Sequence, residues 1–239
     1  MSNLELRVKV FADGADLGAI CALNENPLIS GFTTNPTLMR QDGVEDYETF
    51  ARQVLEVITD KPVSFEVFAD ELEDMEKQAR VIASWGDNVN VKIPVTNTKR
   101  EFAGPILERL SKDGVCLNVT ALMGLTQVEA VAGCLAPETA SIVSVFAGRI
   151  ADTGRDPIPY MEAAKRHLDP LPQAELLWAS PREVLNIYQA DQVGCDIITV
   201  TNNLLKKLDL YGKDLSDYSL ETVEMFYNDA SAAEYQIRT

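Results

Sequence analysis

The chain's 239 residues, 46% hydrophobic and 24% charged, supply apolar material for one sizeable core and fall within the range of a single α/β domain. Lys and Arg total 21 against 37 Asp and Glu; the formal net charge of −16 argues against nucleic acid and anionic membranes as partners and confines any anionic ligand to a locally basic pocket. The opening MSNLELRVKVFADG lacks a basic segment followed by an apolar core, no run approaches the roughly 18 apolar residues of a membrane helix, and Cys21, Cys116, Cys134, Cys195 and the lone His167 form no metal-binding or redox motif, so a cytoplasmic protein with reduced thiols, no metal and no membrane contact is expected.

Along the chain, short runs rich in β-branched residues alternate with helical patterns. The strands are expected at 7–13, 29–34, 63–68, 89–94, 115–120, 141–146, 174–180 and 196–201. Helices are expected between them, at Asp16 to Asn24, Asp46 to Ile58, Asp70 to Trp85, Arg100 to Lys112, Leu125 to Ala136, Pro157 to His167, Arg182 to Gln192 and Asn202 to Leu208. Eight such alternations without a linker predict an α/β fold, a single (β/α)₈ TIM barrel over 1–211. The remainder, 212–239, reads as an appended helix with Leu220, Val223, Phe226, Tyr227 and Ala230 on one stripe, which either docks on its own barrel or makes a subunit contact in a homo-oligomer.

Period-two parity divides each strand. One parity is apolar: Val63, Phe65, Val67; Val89, Val91, Ile93; Val115, Leu117, Val119; Val143, Val145. It is expected to face the helices. The other carries Asp13, Thr33, Glu66, Asn90, Lys92, Asn118, Thr120 and Ser144, mostly near carboxyl ends of strands, where barrel active sites are built.

Lys92, between Val91 and Ile93, stands out. Burying an ammonium is costly, which favours the neutral, nucleophilic amine; a structural ion pair with Glu66 or Asp13 explains the position equally well. Asp13 and Glu66 supply the two carboxyl groups that Schiff-base chemistry needs, although Asp13 could instead cap the following helix. Asn35, Asn118, Thr120 and Ser144 suit sugar hydroxyls or buried backbone groups. For an anion there are Arg149 and Arg182, each just past a strand end, with Ser180 beside them; Asp152 and Glu183 are their alternative surface partners. Cys116, inward by parity, reads as a small buried side chain.

In this order, FADGADL, GFTTNPTL, FEVFAD, VKIPVT, LNVTALMGLTQ, SVFAGRIADTG and WASPRE resemble the transaldolase and fructose 6-phosphate aldolase family, from about residue 10 to about residue 208. The resemblance implies a cofactor-free class I aldolase barrel with a Schiff-base lysine at Lys92. Asp13 would be the base for the C4 hydroxyl, and Glu66 the acid and base acting through a water held by Thr120. Asn35, Asn118 and Ser144 would contact the dihydroxyacetone unit, Arg149, Ser180 and Arg182 would bind phosphate, and Thr33 and Phe146 are expected as further substrate-binding positions. The partners implied are sugar phosphates of the pentose phosphate pathway. Glu66 and Phe146 match the transaldolase branch, since the aldolase branch has glutamine and tyrosine there. This chain departs from the family at PVTNTKREFAG after Lys92, at Pro181, and at Glu183, an acid beside Arg182 that leaves open whether the donor is fructose 6-phosphate, although Arg182 and Arg149 are still expected to form the phosphate clamp.

Overall fold

The computed structural model describes residues 6–237. In chain order its elements are β1 (Lys9–Asp13), α1 (Leu17–Asn24), β2 (Ile29–Thr33), α2 (Pro36–Gln41), α3 (Tyr47–Val57), β3 (Val63–Glu66), α4 (Leu72–Ala83), β4 (Val89–Pro94), α5 (Gly104–Lys112) and β5 (Leu117–Leu122). They continue with α6 (Leu125–Ala132), β6 (Ser141–Val145), α7 (Ala147–Asp152), α8 (Ile158–Leu168), β7 (Ala174–Trp178), α9 (Leu185–Gln192), β8 (Ile197–Thr201), α10 (Asn202–Leu205), a 3₁₀ turn (Lys206–Leu210) and α11 (Leu215–Ala232).

All eight expected strands form, every pairing is parallel, and β1 pairs with both β2 and β8, which closes the (β/α)₈ barrel. The apolar parity is buried as expected except at Val115, which precedes β5 and is half-buried; Val63, Phe65, Val91, Ile93, Leu117, Val119 and Val143 expose no surface. Helices cover them with residues three and four apart, such as Met75, Ala79 and Ile82 on α4 and Met161, Ala164 and Leu168 on α8. Each fully buried side chain of this size contributes about 1.5–3 kcal/mol, so the shell rather than any polar contact carries the fold.

Two helices escape the sequence pattern. α2 and α7, six residues each, are inserted after β2 and β6, and both stand over the carboxyl ends of the strands. β5 starts two residues later than expected and runs on to Leu122, leaving Cys116 half-buried below the strand rather than inside it. Asn90 is inward but low: with Lys9, Phe11 and Glu175 it lines a small cavity at the opposite mouth. Phe11, Ile142, Leu177, Ala179 and Ile197 form an apolar plug inside the barrel. Gly31 makes room for it, because a Cβ there would lie 2.6 Å from the Phe11 ring.

The chain divides into two compact units, one ending at Leu205 and the other starting at Lys206. In the second, Asp214 caps α11 by accepting from the Ser216 and Asp217 amides. None of the helix's residues is buried: Leu220, Val223, Phe226 and Tyr227 are each more than half exposed.

Candidate active site

Above the plug lies a cavity of about 490 Å³, walled by strand ends and by α2 and α7. Asp13, Thr33, Asn35, Glu66, Lys92, Asn118, Thr120, Ser144, Phe146, Arg149 and Ser180 all line it. Arg182 does not.

Strand register brings the reactive groups together. Glu66 pairs across β3 and β4 with Lys92, and Lys92 across β4 and β5 with Asn118, so three inward side chains share one level of the barrel. Lys92 is 7% exposed. Its Nζ donates to the Thr34 carbonyl at 2.7 Å and lies 3.3 Å from the Glu66 carboxylate. Both alternatives for this lysine therefore meet in one geometry: it has a carboxylate partner, and it opens onto a cavity large enough for a small-molecule ligand. A structural pair needs only the first.

Asp13 does not cap α1; that role falls to Asp16, whose carboxylate accepts from the Ala19 amide. Asp13 instead accepts from Thr33 Oγ1 at 2.8 Å and from Asn35 Nδ2 at 3.5 Å. Burial raises its carboxyl above the usual aspartate range, against the opposing pull of Lys92 and of those two hydrogen bonds. Asn35 does double duty, since its Oδ1 caps α2 by accepting from the Leu38 amide at 3.0 Å. Deeper in, Ser144 Oγ donates to Asn118 Oδ1 at 2.6 Å, and Asn118 Nδ2 donates to Ser64 Oγ at 3.0 Å, which fixes the orientation of the Asn118 amide.

The rim beside β6 and β7 is built with little room. Gly148 on α7 approaches Ser180 so closely that a Cβ would lie 1.6 Å from the Ser180 carbonyl oxygen, and Ser180 itself takes a left-handed φ of 58°. Ala121, also in the cavity wall, has a φ of 65° where the β5–β6 register shifts. Arg149 stacks over the Phe146 ring, 5.5 Å from its centroid. The Arg182 guanidinium forks onto Asp152, with Nε 3.0 Å from Oδ1 and Nη2 on Oδ2, and holds that carboxyl below its usual range. The acid that occupies Arg182 is thus Asp152 of α7 rather than the adjacent Glu183, and Arg149 is the cation at this end of the cavity.

Several participants were not expected from the sequence. Thr199 on β8 lines the cavity and its hydroxyl meets that of Thr33; alternation along 196–201 could have revealed it. Thr37 and Gln41 enter from α2. Tyr47 at the start of α3 bonds to the Glu66 main chain, a contact no spacing rule anticipates. Among the described residues no group of three or more His, Cys, Asp or Glu is placed to hold a metal ion, and no helix is long and apolar enough to cross a membrane.

Residues 10–237 match the family model described as Transaldolase/Fructose-6-phosphate aldolase. A probable transaldolase of Streptococcus equi subsp. zooepidemicus (strain MGCS10565) is 34% identical over 203 residues, 84% of this chain and 90% of the relative. One of Dehalococcoides mccartyi is 35% identical over 202 residues, with the same shares covered. Solved structures with other names share the barrel. Dihydrodipicolinate synthase from Rhodopseudomonas palustris has a TM-score of 0.56 at 14% identity, over 93% of this chain and 79% of that one. A phosphonomutase-like structure from Burkholderia cenocepacia J2315 has a TM-score of 0.54 at 11% identity, over 93% and 94%. At such identities the likeness concerns the fold alone.

Proposed function

This chain belongs to the transaldolase/fructose-6-phosphate aldolase family, and from that premise we propose that it is a transaldolase: it moves a dihydroxyacetone unit from a ketose phosphate to an aldose phosphate through a Schiff base on Lys92. The observation that carries the reading is the buried Lys92 Nζ, open to the cavity, with one carboxylate 3.3 Å away and a second, Asp13, in the same wall.

In this reading the neutral amine of Lys92 attacks the ketone carbon. Glu66 passes a proton to the departing hydroxyl, by way of a water near Thr120, and the iminium forms. Asp13 then takes the proton of the C4 hydroxyl; the C3–C4 bond breaks, its electrons flow into the iminium, and the first aldose phosphate leaves. The enamine on Lys92 adds to the incoming aldehyde, and the steps reverse until water hydrolyses the new ketose from the lysine. Asn118, held by Ser64 and Ser144, and Asn35 contact the hydroxyls of the three-carbon unit, and Arg149 with Ser180 receives the phosphate. Glu66 and Phe146, where the aldolase branch has glutamine and tyrosine, favour transfer over release of free dihydroxyacetone.

The four free thiols suit a reducing cytoplasm, and the exposed apolar stripe of α11 suits a homo-oligomer.

Borohydride reduction in the presence of fructose 6-phosphate should leave a covalent sugar adduct on the Lys92 peptide, read by mass spectrometry. Lys92→Arg should fold, form no adduct and lose turnover, because a guanidinium stays protonated and cannot attack a carbonyl. Turnover retained in Lys92→Arg would refute the assignment, and a wild-type chain that binds the sugar without an adduct would be a binding barrel rather than an enzyme.

A further inference from the structure

Resting on the Schiff-base reading, we propose that Tyr47 is a positioning residue for Glu66: its phenol replaces the missing neighbour of β3 at the point where the catalytic carboxylate is borne.

β2 and β3 run in parallel, with Phe32 N–H donating to the Pro62 carbonyl at 2.9 Å and Thr34 N–H to the Ser64 carbonyl at 3.2 Å. The next donor in that series would be residue 36 and the next acceptor the Glu66 carbonyl. Residue 36 is Pro36, which has no N–H and has already turned into α2. By the same alternation the Glu66 N–H would be aimed at the Thr34 carbonyl, but that oxygen receives Lys92 Nζ at 2.7 Å. Both main-chain groups of Glu66 on this side are thus left without a strand partner.

Tyr47 satisfies both. Its hydroxyl accepts from the Glu66 N–H at 2.7 Å and donates to the Glu66 carbonyl at 3.0 Å, using its single proton and a lone pair on one residue. The ring cannot drift, since it meets Phe68, Trp85 and Phe65 edge-on with centroids 4.4, 5.7 and 6.2 Å away. Burial pushes the phenol's pKa up, so it keeps the proton it donates across the working pH range. On its other side β3 is tied to β4, where Val67 N–H donates to the Lys92 carbonyl at 3.0 Å. The Glu66 backbone is therefore gripped from both sides, and its carboxylate pivots from a fixed Cα. By taking the Glu66 N–H, the phenol also leaves the Thr34 carbonyl to Lys92.

The test is Tyr47→Phe, which keeps the ring and its three aromatic neighbours and removes only the two hydrogen bonds, made in the wild-type background and in Glu66→Gln. The readouts are kcat and KM with fructose 6-phosphate and an aldose phosphate acceptor, and the single-turnover rate of borohydride-trappable adduct, all taken below the melting transition. We expect kcat and the trapping rate to fall roughly tenfold or more, because displacement of an acid–base group by a fraction of an ångström costs rate rather than binding, with KM changed less than about twofold. In Glu66→Gln the added loss should be several-fold smaller, since the group being positioned is already gone. A lower melting temperature with kcat of the folded protein unchanged, or equal losses in both backgrounds, would overturn the proposal. Absence of any wild-type adduct would refute the Schiff-base reading itself, a separate outcome.

Discussion

In the proposed mechanism Asp13 would link stability to chemistry at a single residue. Its carboxyl titrates above the usual aspartate range because it is buried, so between its unfolded and folded values the native state holds more protons than the unfolded one. Stability attributable to this group is therefore fully present below the unfolded value and declines as pH rises through the folded one, so ionisation of Asp13 is a cost to the native state. Asp13→Asn keeps an acceptor for Thr33 Oγ1 and removes the charge, so its melting temperature at pH 7 should exceed that of wild type while cleavage is lost, as calorimetry and turnover assays would show. A melting temperature that drops would mean that the hydrogen bonds to the carboxylate outweigh its desolvation. In wild type, activity that depends on ionised Asp13 should fall on acidification at a higher pH than an ordinary aspartate would give.

Period-two and 3.6-residue patterns revealed the elements wherever packing sets the sequence, as in VSFEV or the α4 stripe of Met75, Ala79 and Ile82. α2 and α7 were not legible because six residues complete fewer than two turns, too few to display a period. The candidate site was legible at its inward strand positions, since polar residues such as Lys92 and Asn118 break an otherwise apolar parity. Its rim was not: whether Arg182 faces the cavity or Asp152 is settled by the placement of α7, which strand parity cannot sense. That placement depends on Gly148, whose amide also donates to the Ala179 carbonyl at 3.3 Å. Because the clash of an added Cβ is with main chain, no side-chain rotation relieves it. Gly148→Ala should lose about 1–3 kcal/mol of stability, read by denaturant titration. It should also weaken binding of phosphorylated donors more than of free dihydroxyacetone, because α7 carries Arg149 with it. A fully stable variant with wild-type KM would show that α7 and Ser180 separate easily.

At the level of the whole molecule, a surface with net charge −16 keeps copies of the chain apart, so any self-association must come from a local apolar surface. α11 offers one: Leu215, Leu220, Val223, Phe226 and Tyr227 are 57–80% exposed, more than isolated surface residues require. Val223→Glu combined with Phe226→Lys should lower the association state seen by light scattering while the Lys92 adduct still forms. A wild-type chain that is monomeric at micromolar concentration would remove that role from the helix.

The contacts of Lys92 Nζ acquire a further meaning when its hydrogens are counted. As an ammonium it has three, enough for both the Thr34 carbonyl and the Glu66 carboxylate. As a protonated Schiff base it would have one. Formation of the covalent intermediate would then oblige the nitrogen to give up one of its two partners, and the carbonyl, fixed in the main chain, is the one that cannot swing away. Glu66 would be released by the act of bond formation itself, leaving its carboxylate free to hold a water at the moment the next proton has to move.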